Sequence, residues 1–263
     1  MTSIAMSAAV TGAQAQQLRI DTIANNVANV NTDGFKRVEA SFSDLFYVNL
    51  KRAGVLENSE GAPRPTGVQV GMGTRVLGTF RNMEMGPLRQ TSLPLDVAIT
   101  GNGYFAITLP NNRTGYTRSG TFHRDPESGN IVTVDGSFLE PAIQIPENIL
   151  VESVQISESG LVTATEGNSS EIVEIGKIEL FNFQNESGLE AIGNNLLVAT
   201  EGSGEAIAID DISGRIKQGF LETSNVKAVE ELTKLIEAQR AYELNTRVIS
   251  TQDKILETTN NIK

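Results

Sequence analysis

At 263 residues, with 39% hydrophobic side chains, the chain is long enough to bury a real core and to split into one or two compact units plus its ends. Its net charge of −11 argues against nucleic acid and against anionic membrane surfaces as partners. No apolar run approaches the roughly 18–20 residues that cross a bilayer, and the absence of cysteine removes disulfides, thiol nucleophiles and cysteine metal sites together.

The first element reads as a helix. Met6, Ala9, Ala13, Gln16, Ile20, Ile23, Val27 and Val30 recur at steps of three and four, which keeps one side chain per turn on one face. A seam this narrow is of the coiled-coil type and stays half exposed in a single copy. Between Met1 and Thr32 the only charged side chains are Arg19 and Asp21. A solvated helix carries more charge than that, so this one is expected to be sandwiched in an assembly and to order only there. The small-residue start superficially resembles a signal peptide, but no Lys or Arg precedes Arg19, so no cleaved signal is expected.

Asn31-Thr32-Asp33-Gly34 reads as a helix stop or turn, with Gly34 suited to a left-handed backbone. From about Val48 to Gly73 the chain is rich in Gly, Pro, Asn and charge, and reads as an extended loop or irregular arm. From Leu95 onward, short β-prone runs alternate with turns: Val97–Ile99, Tyr104–Ile107, Ile131–Val134, Leu161-Val162, Ile172–Leu180 and Leu196–Val198. Turns fall at Gly101-Asn102-Gly103, Asp135-Gly136 and Ser159-Gly160, a spacing that suggests a mostly antiparallel β domain.

The last element is again a helix, with Ala228, Leu235, Tyr242, Ile249 and Leu256 recurring every seven residues. Its N-cap is expected at Asn225, with Glu230 and Glu231 near its positive end. Glu230 with Lys234, Glu237 with Arg240 and Glu243 with Arg247 have favourable helical spacings, so this helix is expected to keep one face wet. The fold class is therefore α+β: long N- and C-terminal helices form a coiled-coil-like domain, joined to a mostly antiparallel β middle domain. The expected division is 1–32 with 225–263 for the helical domain, 33–94 with 205–224 for a connecting region, and 95–204 for the β domain.

His123 is the only histidine, and Phe122-His123-Arg124-Asp125-Pro126 reads as a strand end entering a turn. Ser224-Asn225-Val226-Lys227 matches the bare S-x-x-K pattern of serine acylases without its companion motifs, and helix capping explains it more simply. Gly71-Met72-Gly73 and Gly101-Asn102-Gly103 are too short for phosphate loops. No enzyme, cofactor or metal site is expected.

Ala24-Asn25-Asn26-Val27-Ala28-Asn29-Val30-Asn31-Thr32-Asp33-Gly34-Phe35-Lys36-Arg37 closely resembles the N-terminal signature of flagellar rod and hook proteins. Ser224-Asn225-Val226 followed by Gln239-Arg240-Ala241-Tyr242-Glu243-Leu244-Asn245 is similar to their C-terminal one. Leu95–Ile99, Gly101–Phe105, Tyr116–Phe122 and Gly188–Gly193 continue the resemblance through the middle, while the first turn, Thr2 to Met6, lacks the bulky aromatic often seen in the family. Length, Asp44–Tyr47 and Gly67–Gly73 look most like the distal rod type, with proximal rod or hook types as the alternative and an extracellular β-rich binding module as a reading of another class.

The resemblance implies a subunit exported through the flagellar type III apparatus and polymerised with itself in the periplasm, as a rigid hollow helical tube of the basal body that carries torque and forms part of the export channel. It implies proximal rod proteins, hook protein, P-ring and L-ring proteins as further partners, with no nucleic acid and no membrane insertion. The same resemblance implies that the coiled-coil-like helical domain is the inner one, and the arm at 48–73 resembles a segment thought to stiffen the tube. The residues expected at the subunit interface are Ile20, Ile23, Val27, Leu235, Tyr242, Ile249 and Leu256 for apolar packing. Asn25, Asn26, Asn29, Gln239 and Asn245 are expected to fix register, with capping and turn formation as the plainer reading of the asparagines.

Overall fold

Apolar spacing places helices at both ends, and both are present: α1 is Ile4–Ala28 and α2 is Ala228–Asn261. The computed structural model describes residues 4–51, 66–111, 113–165, 172–209 and 214–261. Between the helices lie short strands, turns and two single-turn 3-10 segments, and every strand pairing with a printed register is antiparallel, so the class is α+β. The chain divides into two compact units, one of 1–28, 38–80 and 227–263, the other of 29–37 and 81–226. The segment expected to be a connector is thus shared out: 38–80 groups with the helices and 205–224 with the β strands.

In the first unit α1 and α2 run antiparallel. Asn245 lies against Gly12, and Asn26 donates to Glu231, so an advance of 14 residues along α1 is matched by a retreat of 14 along α2. Four strands accompany them: β1 (Val38–Asp44) pairs with β4 (Thr74–Arg81), and β2 (Tyr47–Lys51) pairs with β3 (Val68–Gly71). The flanks of the expected irregular arm are therefore a ladder; residues 52–65, its centre, lie outside the described residues. β-prone Tyr47-Val48 and Val68-Gln69-Val70 outweigh the Gly and Pro content that suggested a loop. The β3–β4 turn docks on α1: Gly73 has φ +120°, and a Cβ there would meet the Thr11 hydroxyl, which also accepts the Thr74 N–H at 3.3 Å.

The second unit is organised around the strand Tyr104–Thr108. One edge pairs with Thr114–Thr117; the other is shared, its first residues with Leu180–Asn182 and its last with Phe138–Glu140. The run expected from Ile172 to Leu180 is two strands, broken at Ile178-Glu179, because only Ile172–Lys177 pairs with Leu161–Thr165. The chain's return path closes the unit. Gly214–Gln218 pairs with Val97–Gly101 and Phe220–Glu222 with Leu88–Gln90.

Both Val97–Ile99 and Tyr104–Ile107 are continuous apolar runs, which is the pattern of strands covered on both faces, and all seven side chains are at most 1% exposed. Val97, Ile99 and Phe105 join Phe122, Ile131, Leu139, Ile145 and Val162, among others, in the main core, where the Phe105 and Phe122 rings meet edge to face at 5.2 Å, while Tyr104 and Ala106 pack in a second cluster with Tyr116, Phe183 and Leu197.

Candidate assembly interface

Burial separates the two units sharply. Among the described residues 35 hydrophobic side chains are buried, 30 in the β unit and 5 in the helical unit, and four of those five are alanines: Ala9, Ala13, Ala15 and Ala238, with Ile23 the exception. Of the 25 large hydrophobic side chains exposed among the described residues, 16 belong to the helical unit and 9 to the β unit. Val229, Leu232 and Ile236 are exposed near the start of α2; Leu244, Val248, Ile255 and Leu256 are exposed along its second half. Phe46, Leu50 and Leu77 add apolar surface on the strands. Small residues let the two helix backbones approach closely but bury little area, and the large residues face outward.

Polar side chains fix how the helical unit closes on itself. Asn26 is 1% exposed; its amide accepts the Val38 N–H at 2.9 Å and donates to the Val38 carbonyl at 2.8 Å, imitating a strand partner for β1. The same nitrogen reaches Glu231 at 3.0 Å, and Lys234 neutralises that buried carboxylate at 2.9 Å. Glu231 is therefore not a loose charge at the helix N-terminus. Nor is Asn225 the cap: α2 starts at Ala228, with the Glu231 N–H bonded to the Lys227 carbonyl. The Asn225 side chain instead accepts the Arg37 N–H at 2.7 Å and donates to the Asn82 and Glu84 carbonyls, tying three segments of the β unit together.

A pocket of about 340 Å³ opens in the helical unit, lined by Ile23, Val38 and Phe42 and rimmed by Arg19, Glu39 and Lys234, among others. The β unit carries a polar cleft of about 480 Å³ lined by Asn29, Asp33, Thr117, Ser119 and Asn195, among others. Asp33 is already held there by Arg89 at 2.8 Å. His123 is exposed on its strand. Among the described residues no cluster of His, Cys, Asp or Glu could hold a metal, and no helix is long and apolar enough to cross a membrane.

Sequence reasoning missed an ion cluster buried in the β unit. Glu222, whose side chain is fully buried, accepts Lys36 Nζ at 2.6 Å, Arg118 Nε at 2.8 Å and the Gly86 N–H at 2.8 Å. Arg118 gives its remaining donors to the carbonyls of Ile99, Gly101 and Gly103, and Lys36 donates also to the Glu84 carbonyl, so each charge is satisfied. Burial pushes the Lys36 ammonium below its ordinary pKa, aided by the neighbouring Arg118. Burial raises the nearby Tyr104 phenol, and the Glu186 carboxylate raises it further. Next to Lys36, Gly34 has φ +75° and lies so close to Ser119 that a Cβ would sit 2.8 Å from its nitrogen. The available signal was an acid in the otherwise apolar strand Phe220-Leu221-Glu222.

The expected interface residues scatter across these environments. Ile23 and Asn26 are buried within the chain; Ile20, Val27, Leu235, Tyr242, Asn245 and Ile249 are half-buried. Asn25, Gln239 and Leu256 are exposed, and Asn29 lies in the β unit at the polar cleft.

An antiparallel helix pair with outward-facing apolar residues, carried on a chain with a fully cored β unit, has the character of an assembling subunit, and family profiles give it a class. Residues 6–36 match the flagella basal body rod protein profile, 98–164 the flagellar hook protein FlgE/F/G D1 domain, and 217–262 the flagellar basal body rod FlgEFG protein C-terminal region. The protein is thus of the flagellar rod and hook class. It is 45% identical to the flagellar basal-body rod protein FlgG of Caulobacter vibrioides, over 98% of this chain and 99% of that one. Identity is again 45% to FlgG of Borreliella burgdorferi, over 98% of each chain, and 33% to that of Bacillus subtilis, over 97% of each. The solved hook protein FlgE2 of Helicobacter pylori is 14% identical, with a TM-score of 0.24 over 71% of this chain and 43% of that one. The chain belongs to the FlgG family of flagellar basal-body rod proteins: it is a structural subunit of the rod, and its place is the flagellar basal body.

Proposed function

We propose that this chain is the distal rod subunit, and that it polymerises through its helical unit into a rigid hollow tube that carries torque from motor to hook and forms part of the export channel. The observation that carries this reading is the inverted burial of the helical unit, where alanines are inside and Leu232, Ile236, Leu244 and Val248 are outside. Such a surface is stable in water only when covered, and copies joined by unlike faces propagate a helix without closing a ring.

In this reading the β unit, complete in itself, forms the outer surface that spans the periplasm and meets the P-ring and L-ring, while proximal rod and hook proteins continue the tube at its ends. The subunit reaches its place through the flagellar export apparatus and performs no catalysis. Negative-stain electron microscopy of the purified full-length protein under polymerising conditions is the test. Tubes are expected, and monodisperse globules at every concentration would overturn the reading.

A further inference from the structure

The helix pair is unequal in length, and its two ends differ. With Asn245 opposite Gly12, the described start of α1 at Ile4 stands opposite residue 253 of α2, so α2 runs about two turns further, to Asn261. Every residue from 253 to 261 on this overhang is exposed; Ile255 is 52% and Leu256 44% accessible. At the opposite end of the same pair, where the second half of α1 meets the first turns of α2, lies the pocket floored by Ile23, Val38 and Phe42.

The rim of that pocket supplies a second clue. Arg19, the sole cation of α1, makes no hydrogen bond or ion pair among the described residues, whereas Lys234 beside it is engaged by Glu231. The two acids on the same pocket, Glu39 and Glu231, are already engaged, so a half-buried guanidinium over an apolar floor selects a hydrophobic side chain accompanied by a carboxylate. The overhang presents that combination: one turn of helix places Asp253 on the same face as Leu256, with Glu257 adjacent.

We propose that the overhanging tip of α2 in one copy inserts Leu256 into the Arg19–Ile23–Phe42 pocket of the next copy, with Asp253 or Glu257 meeting Arg19. Socket and tip lie at opposite ends of one helix pair, so the contact is head-to-tail and leaves a free socket and a free tip after every addition. The proposal rests on the self-assembly reading and names the surfaces it uses along one direction of the polymer.

The chain has no cysteine, so an engineered pair reports the contact without background. Within one copy, residue 22 and residue 256 are separated by roughly 30 Å of helix, too far for a disulfide. The full-length variant combining Thr22→Cys and Leu256→Cys, oxidised under polymerising conditions, is expected to give a ladder of dimers, trimers and higher species on non-reducing gels. Either substitution alone should remain monomeric. Adding Arg19→Glu should reduce the cross-linked fraction at least tenfold, and Arg19→Lys should keep most of it.

Tubes from the unsubstituted chain without a ladder from the cysteine pair would overturn the proposal, as would dimers from either single variant or a ladder indifferent to Arg19→Glu. Failure of the unsubstituted chain to polymerise at all would instead overturn the assembly reading beneath it.

Discussion

The two units of this protein solve the burial problem in opposite ways. In the β unit the large apolar residues are inside and strands arriving from distant parts of the sequence close over them. In the helical unit the apolar inside is alanine apart from Ile23, and most of the large residues are outside or half-buried. A helix pair held by Ala9, Ala13 and Ala238 gains little from burial, each small side chain removing far less area from water than a leucine. Its specificity comes instead from directed bonds such as Asn26 to Val38 and Glu231. One unit closes a core of its own; the other leaves most of its large apolar side chains at its surface.

Amide hydrogen exchange on the monomer should separate them most widely. Protection in Val97–Gly101 and Tyr104–Thr108 is expected to approach the global unfolding limit, while residues 254–261 exchange nearly freely and 5–28 lie far below the strands. Equal protection of α1 and the central strands would erase the distinction.

Next in size is the buried cluster. Glu222→Gln leaves Lys36 and Arg118 buried without their anion, and the β unit should lose about 3–5 kcal/mol of stability in urea denaturation, since breaking a buried pair strands the remaining charge. A loss below 1 kcal/mol would show that the cluster is wet.

A smaller effect is expected at alkaline pH. Folding raises the Tyr104 pKa, so above about pH 10 the unfolded chain releases a proton that the folded chain keeps, and stability falls as pH rises through that value. Tyr104→Phe removes this contribution, so the stability gap between wild type and variant should shift in favour of the variant on going from pH 9 to pH 11. A gap that does not change with pH would contradict the buried phenol.

The smallest effect on the monomer is expected at the outer face of α2. Leu232→Ser should change unfolding stability by no more than about 0.5 kcal/mol, yet raise the critical concentration for polymerisation measured by sedimentation. Destabilisation of the monomer by more than 1 kcal/mol would mean that Leu232 is covered within one copy.

Much of this was legible in the residues. The three-and-four spacing from Met6 to Val27 gave α1, the heptads from Ala228 gave α2, and apolar runs bounded by Gly turns located Val97–Gly101, Tyr104–Thr108 and Leu196–Val198. What the sequence did not disclose depended on long-range pairing. β2 and β3 are hidden because neither is recognisable without the other, and α2 starts at Ala228, beyond the expected cap, because Asn225, a good cap in isolation, is taken by Arg37, Asn82 and Glu84. Glu222 among apolar neighbours hints at a buried partner without naming one, since its two cations lie 186 and 104 residues away.

That last separation bears on the order in which the molecule can form. Lys36 and Glu222 are the two halves of a clasp, and the Gly214–Gln218 and Phe220–Glu222 strands that carry one half also seal the β core. A nascent chain offers only one half until nearly its entire length is free, and loop closure over such a distance is slow compared with local hairpins. The β core is therefore left open until its last strands arrive, and it shuts in a single late step.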